Sequence, residues 1–169
     1  MELLLCLAVI LDAEQVARMD RDPALAAILQ PVRLAAFRGR SAVALVFFPL
    51  AFSRTCAGEL RELQNNAALF ADAGVAVHGV SVDSKHTLRA WADAEGWAIP
   101  LLSDFWPHGE VARSYGAFRP DTGVASRTTV LLCDDGIVRS VFSSPPTEPR
   151  PLAAYREALA ALRLARQPG

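Results

Sequence analysis

Cys56 ends the stretch VFFPLAFSRTC (residues 46–56), in which an apolar run passes through a proline and a short polar segment into a lone cysteine. Strand residues favour burial, whereas Ser53, Arg54, Thr55 and Cys56 read as a loop feeding a helix N-terminus. The first turn of a helix presents unpaired backbone N–H groups and the positive end of the dipole, which favours a thiolate over a thiol. A nearby guanidinium would complete such a site. Arg54 is expected to point outward, so the candidate is Arg127, which begins the apolar run RTTVLL. Pro49 has no N–H and can shield one side of the thiolate from water. Ser53 offers a rotatable hydroxyl that can donate to a small oxygen-containing substrate. Glu59, three residues after Cys56 on the same helical face, can hold an arginine in place.

The other cysteines, Cys6 and Cys133, form no CxxC and no short metal-ligand spacing with Cys56. An odd set of three suits a reducing, cytoplasmic setting with one functional thiol better than a disulfide framework. Cys133 ends an apolar strand and Cys6 lies within LLLCLAVI, so both read as core or edge thiols. His78, His86 and His108 are scattered and give no metal-site spacing, so neither a metal nor a cofactor is expected. His108 reads as a solvated residue of a helix start. Trp106, in DFWPHG, reads as a loop aromatic packed near the site or an interface.

The chain has 169 residues, 52% of them hydrophobic and 21% charged, enough for one domain with a substantial core. With 17 Lys+Arg against 18 Asp+Glu, no basic excess points to nucleic acid or a membrane surface. The apolar run from Leu3 to Leu11 is far short of the about 20 residues that span a bilayer. It lacks the basic start of a secretory signal and reads as a buried strand or helix.

Asp12 can cap a helix over AEQVARMDRDPALAAIL, with Pro23 against a continuous one. VRLAAFRGR ends in a glycine turn, and SAVALVFFP reads as a fully buried strand. A helix from Cys56 through Leu60, Leu63, Ala67 and Phe70 is expected to stop at Gly74. VAVHGVSV is the next strand, followed by a helix capped by Asp83 or Ser84 and closed by Gly96. Past IPLLSDFWPHG comes a short helix over EVARSY. The strands RTTVLLC and IVRSVF flank the turn Asp134-Asp135-Gly136, and a proline-rich loop leads into LAAYREALAALRLAR. This alternation predicts an α/β sandwich with a mixed central sheet flanked by helices, a thioredoxin-like layout with the reactive loop at the C-terminal end of a central strand.

The joint pattern resembles the peroxiredoxins of the AhpC/TSA family. FFPLAFSRTC matches their Pro, three residues, Thr or Ser, two residues, Cys signature, with Ser53 in the Thr position. Glu59, Arg127 before Thr-Thr-Val, and LLSDFWPHG make it similar to the one-cysteine branch typified by alkyl hydroperoxide reductase E. The resemblance covers about residues 32–162. MELLLCLAVILDAEQVARMDRDPALAAILQ replaces the family's usual Ala-Pro-Asp-Phe opening, so residues 1–31 are set apart as an atypical N-terminal segment and residues 32–169 as the peroxiredoxin-like domain.

The resemblance implies a thiol-specific peroxidase that reduces hydrogen peroxide and organic hydroperoxides through a Cys56 sulfenic acid. Ser53 would orient the peroxide. Arg127 and backbone N–H groups near Thr55 and Cys56 would stabilise the charge on the departing oxygen. An external thiol would recycle the sulfenic acid: a low-molecular-weight thiol with a glutaredoxin-like protein, or thioredoxin. Position 61 is arginine, so no resolving cysteine lies five residues on, and a homodimer is expected by resemblance. Two other readings stand beside it. A thiol–disulfide oxidoreductase would need a second cysteine near Cys56. A thioredoxin-fold sensor or binding module without efficient turnover finds support only in the unusual N-terminus.

Overall fold

The structure, a computed structural model, describes the backbone of Ala8–Val9 and residues 32–166. The sequence expectations for Cys6 and for the helix after Asp12 lie outside the described residues.

A six-stranded mixed sheet has the order β1-β4-β3-β2-β7-β8. Its strands are β1 (Ala8–Val9), β2 (Ala42–Phe47), β3 (Val75–Ser81), β4 (Leu101–Ser103), β7 (Arg127–Leu132) and β8 (Val138–Ser144). A separate hairpin joins β5 (Phe118–Arg119) to β6 (Val124–Ala125). The helices are α1 (Arg54–Asn65), α2 (Ala67–Ala71), α3 (Lys85–Glu95), α4 (Glu110–Ser114) and α5 (Leu152–Ala165), with a 3₁₀ turn at Leu34–Phe37.

Strand β2 is buried along its whole length because the sheet is covered on both faces. Alternation sends Ala42, Ala44 and Val46 into one core with Leu60 and Leu63 of α1, Trp91 of α3 and Leu159 of α5. Val43, Leu45 and Phe47 enter the other, with Val111 and Ala112 of α4 and Val130 of β7. Two parallel ladders, β2–β3 and β3–β4, follow from helical crossovers. Strand β7 then pairs antiparallel with both β2 and β8, and the Asp-Asp-Gly turn closes the second of these pairs. The mixed thioredoxin-like sheet read from the sequence is thus present. At Gly79 of β3 the backbone approaches its neighbours closely: a Cβ there would lie 2.8 Å from Leu101 Cδ2 and 3.2 Å from Phe48 Cε1.

Three local features differ from the sequence reading. The helix expected to reach Gly74 breaks at Asn66, whose side chain donates to the Glu62 carbonyl at 2.8 Å. Such local bonding competes with helix continuation. Strand β4 emerges within IPLLSDFWPHG, a segment too short to display periodicity. Asp104, just beyond it, accepts from Val111 N at 3.1 Å and Ala112 N at 2.8 Å, capping α4. His108 is exposed, as read from the sequence, and is also held: its Nε2 lies 2.7 Å from the Gly123 carbonyl and its ring meets Phe118 edge-on. The Arg113 guanidinium lies 3.5 Å from the centre of the Phe118 ring, so α4 and the β5–β6 hairpin are fastened together.

Candidate active site

β2 delivers the chain to the site. Its ladder with β3 runs one bond past the strand, from Phe48 N to the Val80 carbonyl at 2.9 Å. Pro49 cannot continue it, and the chain leaves the sheet there. Two contacts shape the following loop. Asp83 Oδ2 accepts from Ala51 N at 2.8 Å, and Ser81 Oγ donates to the same oxygen at 2.7 Å. Ser84 therefore takes the cap of α3, its Oγ accepting from Thr87 N at 3.1 Å. Phe52 adopts φ 59°, a left-handed conformation that a non-glycine residue adopts at a cost of about 1–2 kcal/mol. The resulting reversal puts Ser53 at the N-cap of α1.

Ser53 Oγ accepts from Cys56 N at 3.4 Å, a long bond that leaves its own hydrogen free to donate elsewhere. Cys56 lies in the first turn and is fully buried, while Arg54 is exposed, as expected from its place in the sequence. Thr55 is half-buried beside it.

One turn on, Glu59 is buried and holds two arginines. Arg127 Nη1 donates to Glu59 Oε2, and Arg127 Nε donates to the Pro146 carbonyl at 2.7 Å. Arg150 approaches from the proline-rich loop. Its backbone N and Nε donate to Glu59 Oε1 at 2.8 and 3.0 Å, and its Nη2 to Oε2 at 3.3 Å. Arg150 Nη1 also donates to the Phe47 carbonyl at 2.9 Å and to Thr129 Oγ1 at 3.1 Å. Thr129 in turn donates to Tyr155 Oη at 3.1 Å. The cluster carries two guanidiniums and one carboxylate and lies directly beneath the first turns of α1.

Pro49, Ser53 and Arg127 share the wall of one cavity of about 600 Å³, completed by the β5–β6 hairpin and the end of β8. The structure therefore brings Pro49, Ser53, Cys56, Glu59 and Arg127 to one end of the sheet. Thr55 faces a different groove along α1. Trp106 stands 77% exposed in the loop after β4. Among the described residues there is no cluster of three or more His, Cys, Asp or Glu that could hold a metal ion.

Arg150 is the participant that sequence reasoning missed. It lies between two prolines in PPTEPRP, where a charged residue reads as solvated loop. Its burial follows from tertiary placement alone. Of the two caps the sequence offers for α3, Ser84 takes the position, and the role of Asp83 in fixing Ala51 depends on the turn after β3.

The AhpC/TSA family model matches residues 20–141. Over 133 residues the chain is 42% identical to alkyl hydroperoxide reductase E of Mycobacterium tuberculosis, spanning 79% of this chain and 87% of that one. The fold superposes on the reduced 2-Cys peroxiredoxin of Plasmodium vivax with a TM-score of 0.69 and 29% identity, covering 78% of this chain and 70% of the other. It also superposes on peroxidoxin BcpB of Mycobacterium tuberculosis with a TM-score of 0.66 and 29% identity, covering 79% and 86% respectively.

Proposed function

We propose, from the premise that this chain belongs to the AhpC/TSA family and is a thiol-dependent peroxidase, that Cys56 is its nucleophile and that residues 32–169 form the working domain. The observation that carries this reading is the capped first turn of α1. It holds Cys56 above a buried Glu59 that fixes Arg127 in the wall of the adjoining cavity.

In this mechanism the Cys56 thiolate attacks the terminal peroxide oxygen. The S–O bond forms as the O–O bond breaks, and the electron pair leaves on the distal oxygen, which takes a proton and departs as water or alcohol. Arg127 and the N–H groups of Thr55 and Cys56 stabilise that developing charge. Ser53, already accepting from Cys56 N, donates its hydroxyl to the peroxide. Pro49 covers the thiolate on the side where a backbone N–H would otherwise bring water. Cys56 is left as a sulfenic acid. A thiolate then attacks its sulfur, water leaves, and a second thiol releases Cys56 from the mixed disulfide.

The reducing thiol is external, a low-molecular-weight thiol with a glutaredoxin-like protein or thioredoxin, and the setting is cytoplasmic. Among the described residues no helix is long and apolar enough to cross a membrane. A homodimer is supported by exposed apolar side chains on two loops at the same end of the sheet: Leu50 and Phe52 after β2, and Phe105 and Trp106 after β4.

The deciding experiment is peroxide consumption by wild type and Cys56→Ser with a thiol reductant in excess. The variant is expected to consume no peroxide above background, because a hydroxyl is a far weaker nucleophile than a thiolate at neutral pH. Turnover retained in Cys56→Ser would remove the cysteine mechanism.

A further inference from the structure

The cavity beside Cys56 is much larger than hydrogen peroxide requires. A water's share of liquid volume is about 30 Å³, so about 600 Å³ is roughly ten times what a two-oxygen molecule needs. Its wall also has a marked polarity. Two guanidiniums, Arg127 and Arg119, border it together with several hydroxyls, and no carboxylate lines it among the described residues. Arg127 is committed to Glu59 and Pro146 at the inner end. Arg119 stands on β5, where the mechanism has no use for it.

Arg119 is held in position by the hairpin that carries it. Gly123 N donates to the Arg119 carbonyl at 2.8 Å, His108 engages the Gly123 carbonyl, and Phe118 is clamped under Arg113. The guanidinium binds Asp121 through Nη2 at 2.7 Å and, more weakly, through Nε at 3.4 Å. Asp121 does not line the cavity, and its side chain is 60% exposed against 34% for Arg119. Nη1 thus has no partner among the described residues. An arginine so placed presents one free donor edge to whatever fills the cavity, with its orientation set in advance.

We infer that Arg119 is a specificity-determining residue that binds a carboxylate on the small molecule occupying this cavity, with Asp121 acting as an internal competitor that weakens the contact. The inference rests on the peroxidase reading. The carboxylate belongs either to the hydroperoxide that oxidises Cys56 or to the thiol that reduces the sulfenic acid, since both must reach the same sulfur.

The two sources separate in single-turnover stopped-flow measurements. In the first arm Cys56 is oxidised by a tertiary hydroperoxide bearing a terminal carboxylate or by its methyl ester. In the second, the sulfenic acid formed with hydrogen peroxide is reduced by 3-mercaptopropionate or by its methyl ester. Each hydroperoxide rate is divided by the same variant's rate with hydrogen peroxide. The acid should exceed the ester about 2- to 5-fold in one of the two steps, the range expected of a partly exposed ion pair. That step identifies the source. The preference should vanish in Arg119→Gln, return in Arg119→Lys, increase in Asp121→Asn, and collapse in about 1 M salt, where the Debye length is about 3 Å. Equal acid and ester rates in both steps would overturn the inference, as would a preference that survives Arg119→Gln. Failure of hydrogen peroxide to oxidise Cys56 would remove the peroxidase reading itself, a different outcome.

Discussion

Replacing Glu59 by glutamine keeps the shape of the side chain but removes the only negative charge from the cluster beneath α1. Wild-type Glu59 accepts from Arg127 once and from Arg150 three times. In the variant the two cations face each other without compensation, and the amide nitrogen adds a donor among donors. Removing one partner of a buried ion pair costs about 3–5 kcal/mol, and all three side chains here are at most 3% exposed. At about 2–4 °C per kcal/mol for a chain of this size, the melting midpoint should fall by roughly 6–20 °C. Typical domain stabilities of about 5–15 kcal/mol mean that the variant should still fold at low temperature.

The effect on chemistry is separable. Arg127 keeps its bond to the Pro146 carbonyl, so it stays near the site with one of its anchors gone. A displacement of about 1 Å in a catalytic group costs on the order of 10²-fold in rate. The assay pairs thermal unfolding with stopped-flow tryptophan fluorescence during oxidation by hydrogen peroxide, at a temperature well below the midpoints of both proteins. Arg150→Met serves as the comparison, because it leaves Glu59 paired with Arg127 and should slow oxidation less than Glu59→Gln. A Glu59→Gln protein that melts within about 2 °C of wild type and oxidises at the wild-type rate would show that the carboxylate neither stabilises the fold nor positions Arg127.

Arg127→Gln should slow oxidation of Cys56 by on the order of 10²-fold or more, the cost of losing one donor to a developing oxyanion; an unchanged rate would place the guanidinium elsewhere. One equivalent of peroxide followed by dimedone should label Cys56 and leave it unlinked to Cys133. Cys133 follows Leu132, which pairs with Val43 near the start of β2, whereas Cys56 lies beyond the end of that strand. Six residues of strand separate them by roughly 20 Å, against the about 7 Å a disulfide tolerates, and a Cys56–Cys133 peptide in mass spectrometry would contradict this. Burial holds the His78 imidazole below its ordinary value of 6.5, so its contribution to stability is complete above that pH and is lost as pH falls toward the folded-state value. Urea midpoints should decline below pH 6.5, with a slope from this group of up to about 1.4 kcal/mol per pH unit that is missing in His78→Leu; parallel pH profiles for the two proteins would count against it.

What the sequence made legible divides along a physical line. Pro49, Ser53, Cys56 and Glu59 could be read because they lie on one loop and one helix, where spacing fixes geometry. Arg127 was legible for a related reason, since it begins an apolar run and so sits at a strand end. The fully buried β2 and the β7–β8 hairpin showed as an unbroken apolar run and as a turn signal. The two-residue strands β5 and β6 carry no period at all. The break at Asn66 depended on one side-chain hydrogen bond competing with a helix that the apolar pattern alone would continue.

Arg150 shows why the rest stayed out of reach. Its burial in a loop between prolines is tolerable only because Glu59, Phe47 and Thr129, from α1, β2 and β7, all accept hydrogen bonds from it. Those acceptors lie between 21 and 103 residues away in sequence. No local rule can foresee such a convergence, because a guanidinium without these partners would remain in water. Since Arg150 and Arg127 share one carboxylate, the start of α1, the end of β2, the start of β7 and the loop before α5 are drawn to a common point. The position of Cys56 relative to the cavity wall is then a property of the whole sheet rather than of the loop that carries it.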